Sequence, residues 1–390
     1  MKVSKMADSI LPSRGRQLFN LASEYDDVID LTLGDPDIIP PQSIREAGSR
    51  AIMEGKTRYS ANAGVTQLRI AYSNYIEDKY KREFEPKSQV IVTVGGMEAL
   101  YLAIISAINP GDEVIIFEPY YINYYQMIQM SGGIPIPVKT DEANNFIPEL
   151  DSVEKKICEK TKMIIMNSPA NPTGAIWGQS TVEGIIQIAK KDNILLISDE
   201  VYSTLVYNDA RHFSVLEAEP FYENIMFIDS CSKKFSMTGW RVGFAIGPKE
   251  WIAAMTKLQE NVAACAPLPS QYAALEAFNN LPDMSGYVQT FQERRDVLVA
   301  RLSKSNLLSF HVPEATFYLF VNISRTGMNS MDFAINLLRE KHIAVVPGIA
   351  YGDNFDNYIR IAFTIDVKEL IRAADGIVSF VKEKVFKSPF

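Results

Sequence analysis

"NILLISDEVY" (residues 193–202) sets four consecutive apolar side chains, Ile194 to Ile197, directly against a Ser-Asp-Glu run. Continuous rather than alternating hydrophobicity means burial on both faces of a strand, as in a parallel sheet held between layers of helices. Asp199 then falls at the strand's carboxyl end, where open α/β sheets bind their ligands. Outward from this stretch the pattern recurs in "QVIVTV" (89–94), "EVIIFEP" (113–119), "GIPIPV" (133–138), "KMIIMNS" (162–168), "NIMFIDS" (224–230) and "RVGFAIG" (241–247). Segments with helical spacing, such as "MEALYLAIISAI" and "STVEGIIQIAKKD", lie between the runs. The alternation predicts an α/β domain over residues 46–285 built on a mostly parallel seven-stranded sheet between helices. Beyond it, "MSGYVQTFQERRDVLVARLSK" reads as a helix. "FYLFVNI", "IAVVPG" and "YIRIAFT" read as strands, and a last helix runs over 367–384. Residues 286–390, joined by 1–45, are expected to form a smaller α+β domain.

The chain has 390 residues, 47% of them hydrophobic and 22% charged, which describes an ordinary globular protein with room for a large core. A net charge of -8 argues against nucleic acid and anionic membrane surfaces as main partners. Cys158, Cys231 and Cys265 are odd in number and lack a C-x-x-C spacing, which suits reduced cytosolic thiols. His212, His311 and His342 are scattered, so no metal site is expected. The N-terminal twenty residues contain no continuous apolar run, and "ALYLAIISAI" is too short to span a bilayer. A cytoplasmic location is the expectation.

Five strand ends carry chemically distinct groups. Gly95 and Gly96, with Met97, open a helix, where backbone N–H groups can approach a phosphate. Taken alone the pair is a tight turn, and it is neither a dinucleotide fingerprint nor a P-loop. Tyr121 offers a face for stacking on a planar ring, although "YYINYY" also reads as core tyrosines. "NPTG" (171–174) is a turn by composition that frees the Asn171 side chain to hydrogen-bond. Asp199 ends a buried strand, where a carboxylate needs a cation or donor, or else serves as a helix cap; Tyr202 follows on the same side. "SCSKKFSMTGWR" (230–241) brings Ser230 and Ser232 as donors, a forked cation in Arg241, and two adjacent amines. A lysine near other cations is pushed towards its neutral, nucleophilic form, which Schiff-base chemistry needs. Together these are parts for a planar phosphorylated aldehyde, and pyridoxal phosphate fits that inventory.

"NPTG", "SDEVY" and "SKKFSMTGWRVG", in this order and spacing, resemble the class I/II aminotransferases of fold type I, from "LTLGDPD" (31–37) to "YIRIAFT" (358–364). The resemblance implies an enzyme with pyridoxal phosphate on Lys233, Lys234 being the solvated neighbour. It implies that Asp199 pairs with the ring nitrogen, that Tyr202 and Asn171 bond the phenolic oxygen, and that Tyr121 stacks on the ring. Gly95, Gly96, Met97, Ser230, Ser232 and Arg241 would take the phosphate, with Tyr59 lent by the other subunit of a homodimer. Arg360 would clamp the substrate α-carboxylate, Gly34 would line its pocket, and Pro119 and Pro172 match cis prolines. Lys233, Asp199 and Tyr202 are thus the implied catalytic residues, and Gly34, Asn171 and Arg360 the substrate contacts.

The implied reaction is ping-pong transfer of an amino group from an L-amino acid to a 2-oxo acid, with Lys233 moving a proton from Cα to the cofactor's C4′ carbon. Met97 stands where an acidic-substrate branch has lysine, so the expected pair is an apolar or aromatic amino acid and 2-oxoglutarate. Arg14 and Arg16 either bind a second carboxylate or line a domain seam, and Ala315-Thr316 replaces a Gly-containing pair, so that the pocket edge is expected to differ. A C–S β-lyase, racemase or cyclopropane-forming synthase of the same fold is the main alternative. The sensor half of a transcription regulator is another, disfavoured by the acidic charge and by "LTLGDPD" beginning at residue 31.

Overall fold

The computed structural model describes residues 3–10, 18, 21–22, 24–25 and 27–387. Arg14 and Arg16 lie outside them. Twelve strands are labelled in chain order: β1 (Ile29–Asp30), β2 (Val90–Thr93), β3 (Glu113–Glu118), β4 (Ile134–Lys139), β5 (Thr161–Asn167), β6 (Leu195–Asp199), β7 (Ile225–Ser230), β8 (Gly243–Ile246), β9 (Tyr318–Asn322), β10 (Ile343–Ala344), β11 (Val346–Pro347) and β12 (Tyr358–Ala362). Ten helices matter here: α1 (Gln42–Met53), α2 (Thr66–Tyr80), α3 (Gly95–Ala107), α4 (Ile122–Met130), α5 (Gln179–Lys191), α6 (Lys249–Val262), α7 (Leu268–Asn279), α8 (Ser285–Leu302), α9 (Ser330–Lys341) and α10 (Val367–Lys387).

The main sheet has seven strands in the order β2-β8-β7-β6-β5-β3-β4. Only β8 runs against its neighbours, so the other six point their carboxyl ends to one edge. Successive side chains of these strands enter opposite cores, as the two-residue period requires. Val90, Val92, Ile115, Ile164, Leu196 and Phe227 pack on one face. Ile91, Val114, Ile116, Ile165, Ile197 and Ile228 pack on the other. Continuous apolar runs are therefore what this two-sided burial demands. The exception is β4, read from sequence as another doubly buried run. It is an edge strand bonded only to β3, with Ile134 44% exposed, and Pro135 and Pro137 are tolerated because one side needs no ladder.

A separate core gathers α8, α9 and α10 around the three-stranded sheet β11-β12-β9. "IAVVPG" splits between two sheets: β10 pairs in parallel with β1, and β11 pairs antiparallel with β12. Tyr202, Leu205 and Tyr207 reach from the end of β6 into this second core and join the two bodies. Glu118–Pro119 and Asn171–Pro172 are both cis, as is Ser168–Pro169. No helix among the described residues is long and apolar enough to cross a membrane.

Candidate active site

A cavity of about 580 Å³ opens at the carboxyl edge of the main sheet, a size typical of small-molecule sites. All five expected strand ends reach it. Gly96 and Met97 come from the start of α3, Tyr121 from before α4, Asn167 from the end of β5 and Asn171 from after it, and Asp199 from the end of β6 and Tyr202 from after it; Ser230 ends β7, and Ser232, Lys233 and Arg241 follow it. Gly34 and Arg360 close it from the other core. Tyr59 does not line it: this side chain is 86% exposed on the surface of the single chain.

Why the backbone takes this shape is local. Gly95 has φ +76° where β2 turns into α3, and a Cβ there would overlap the Arg241 guanidinium. Arg241, itself at φ 55°, donates to the Thr238 carbonyl at 2.9 Å, so guanidinium and helix start are pressed together. The first turn of α3 has backbone N–H groups without intrahelical partners, as every helix does. Ser230 caps the short helical turn Cys231–Lys234 by accepting from the Ser232 N–H at 3.1 Å, and the two hydroxyl oxygens lie 3.0 Å apart. Cation, helix terminus and two hydroxyls converge as an anion cradle.

Lys233 is half-buried, and its Nζ donates to the Gly34 carbonyl at 2.7 Å. Burial brings its amine down to about 8; Asp35 opposes this, while Arg241 and Arg360 add to it. Asp199 is 3% exposed, and burial raises its carboxyl to about 6 against the bonds it accepts from Tyr124 and the Val201 N–H. Tyr124 Oη donates to Asp199 Oδ2 at 2.5 Å. The Asn167 side-chain amide donates to the Asp199 carbonyl at 3.0 Å, and its oxygen accepts the Asn171 N–H at 2.9 Å.

Arg360 is 6% exposed at the centre of β12 and forms no ion pair among the described residues. It donates to Asn171 Oδ1 at 3.2 Å and to the Thr32 carbonyl, its Nε has no partner, and its guanidinium lies 4.1 Å from the Tyr318 ring centre. Burial alone would lower it, but the hydroxyls of Tyr351, Tyr318, Tyr202 and Tyr121 keep it charged. A buried guanidinium lacking an anion is strongly disfavoured unless a carboxylate is to join it. The Tyr202 and Tyr318 hydroxyls lie 3.2 Å apart, and a Cβ on Gly34 would overlap the Tyr318 hydroxyl.

Two expectations are corrected. Lys234 is not solvated: it is 4% exposed, with its Nζ 3.3 Å from Asp229 Oδ2. Ala315 and Thr316 do not form the pocket edge. Both are fully buried, Thr316 at φ 67°, and the segment's contribution to the cavity is Tyr318. Three groups escaped sequence reading: Tyr124, Asn167 and Tyr318. Tyr124 lies three residues after Tyr121 on the same helix face, a signal hidden among the tyrosines of "YYINYY".

The residues present fit pyridoxal phosphate on structural grounds: an anion cradle, a buried acid, a lowered amine and an unpaired buried guanidinium share one cavity. The family model for aminotransferase class I and II matches residues 26–377. The chain is 37% identical to the aspartate aminotransferase of Thermotoga maritima over 93% of this chain and 94% of that one. It is 31% identical to aromatic-amino-acid aminotransferase 2 of Thermococcus litoralis over 98% of this chain and 99% of that one. The crystal structure of the Thermotoga maritima enzyme superimposes with a TM-score of 0.92, covering 97% of this chain and 100% of that chain at 37% identity. The chain belongs to the class I and II aminotransferases, pyridoxal-phosphate enzymes of fold type I that move amino groups between amino acids and oxo acids.

Proposed function

We propose that this aminotransferase carries its cofactor on Lys233, takes an apolar or aromatic L-amino acid with 2-oxoglutarate as acceptor, and works as a homodimer. The supporting observation is the pairing, in one cavity, of an amine brought down to about 8 with a buried guanidinium that has no anionic partner among the described residues. When bound, pyridoxal phosphate supplies an electron sink for the charge left at Cα as its proton departs.

The chain's own groups do the rest. Arg241, Ser230, Ser232 and the Gly95–Met97 amides hold the phosphate, and Tyr121 stacks on the ring. Asp199 holds the ring nitrogen's proton, kept in place by Tyr124 and Asn167. Tyr202 and Asn171 orient the ring through its phenolic oxygen. Arg360 receives the α-carboxylate beside Gly34. Lys233, its amine brought down by burial, is the base that takes the Cα proton. Tyr59, exposed on one chain, is read as reaching the phosphate of the other. The division into residues 46–285 and 1–45 with 286–390 is supported by the two main cores, although Ile44 packs with the main sheet and Tyr202, Leu205 and Tyr207 with the other core.

For the side chain, Lys233, Arg241 and Arg360 are the cations lining the cavity among the described residues, and each already has a task. Leu33, Met97, Leu100 and Ile122 add apolar lining, which supports an apolar or aromatic substrate. The deciding experiment offers the cofactor-loaded enzyme each of the twenty amino acids and follows pyridoxamine phosphate. Phenylalanine, tyrosine and leucine should convert fastest. Preference for aspartate would overturn the substrate class, and pyruvate with ammonia would indicate a lyase.

A further inference from the structure

Lys233 and Lys234 carry the same reagent one residue apart, yet only one faces the cavity. Consecutive side chains on a helical turn diverge by roughly 100°, which separates the amines but does not fix which one points inward. A second set of contacts does. Lys234 is 4% exposed and Asp229 1%, with 3.3 Å between Nζ and Oδ2. Asp229 Oδ1 accepts the Ser230 N–H at 2.7 Å, and Oδ2 accepts the Tyr72 hydroxyl at 3.1 Å. Lys234 Nζ also donates to the Tyr75 hydroxyl at 3.2 Å. Tyr72 and Tyr75 both belong to α2, so the pair ties the end of β7 and the following turn to one rigid helix.

We infer that the Asp229–Lys234 pair is a positioning device that closes a loop across Ser230-Cys231-Ser232-Lys233 and selects Lys233, not Lys234, as the amine presented to the cavity. The inference rests on the assignment of the cofactor to Lys233. The four spanned residues include three that line the cavity, so the tether acts on Ser230, Ser232 and Lys233 together. Burial alone would lower the Lys234 amine, but Asp229 and Tyr75 reverse this and hold it above its ordinary range. It therefore stays a cation and not a nucleophile.

The test compares wild type, Asp229→Asn, and the double variants D229N/K234M and D229N/K234Q, each loaded with pyridoxal phosphate. Borohydride reduction followed by peptide mapping should label wild type on Lys233 alone. Absence of that label would defeat the parent assignment and not this inference. In Asp229→Asn part of the label should move to Lys234, and kcat should fall on the order of tenfold or more through misplacement. KM, set at Arg360, should stay within about twofold. D229N/K234M removes both charges and the rival amine, yet should keep the low kcat because the tether is gone. D229N/K234Q, which restores a neutral hydrogen bond, should recover part of it. If Asp229→Asn fails to fold, the two double variants decide alone. A folded, cofactor-loaded double variant with wild-type kcat and absorbance would reduce the pair to core filling and overturn the inference.

Discussion

Asp199 shows what burial does to one carboxylate at this site. It sits 3% exposed between the sheet and Tyr124, with no cation within reach of its oxygens among the described salt bridges. Burial leaves its folded-state value at about 6, above its ordinary value of 3.8. A raised carboxylate contributes stability that is complete below the ordinary value and is lost as pH climbs through the folded one. In cofactor-free protein, the stability of wild type relative to Asp199→Asn should therefore fall between about pH 4 and pH 6, by up to about 3 kcal/mol, and level off above. Urea titrations of both proteins across pH 4–8 check this, and a flat difference would show that Asp199 does not titrate there. Asp199→Ala should also cut the transamination rate severely. Lys233 titrates the other way. The rate at which cofactor-free enzyme condenses with pyridoxal phosphate should rise with a midpoint near pH 8, the value its amine is given by burial.

At the scale of elements, the positions that admit no side chain carry the tightest constraints. Gly34 abuts Phe317 and the Tyr318 hydroxyl, and its carbonyl accepts Lys233. Gly34→Ala should push Tyr318 aside, disturb its contact with Tyr202, and destabilise the fold by about 1–3 kcal/mol through overpacking. Denaturant unfolding measures the stability, and a rise in KM for the amino acid measures the disturbed wall beside Arg360. The elements themselves were largely legible. Short β-rich apolar runs located all seven strands of the main sheet, and at β3, β5, β6 and β7 four consecutive apolar residues mark burial on both faces. The edge position of β4 was not legible, since the run "GIPIPV" reads as buried and only its prolines hint otherwise. Nor was the splitting of "IAVVPG" between two sheets, which depends on distant partners Ile29 and Arg360. The site residues after each strand were readable because motif spacing carries them. Asn167 and Tyr318 were not, because their contacts are tertiary, and the spacing of Tyr124 from Tyr121 was hidden among neighbouring tyrosines. Lys234 is the sharpest case: a KK pair reads as one reagent and one solvated charge, whereas Asp229, five residues back, draws the second amine inside.

Across the whole molecule, the cavity is shared between two cores: β12 and the Gly34 segment bring Arg360 to the sheet edge that holds Lys233. Tyr59 is exposed, and Met53 and Ile52, nearby in sequence, are 84% and 57% exposed. Sedimentation should show a dimer, and an active monomer would undo the assignment of Tyr59. Tyr59→Phe should weaken cofactor binding by about tenfold, the loss of one hydrogen bond to a charged group, without dissociating the dimer. The most direct test of the account is reduction of the cofactor-loaded wild-type enzyme with borohydride, followed by peptide mapping. The cofactor should be found on Lys233 and on no other lysine; a label on Lys234, or none within residues 230–241, would contradict it.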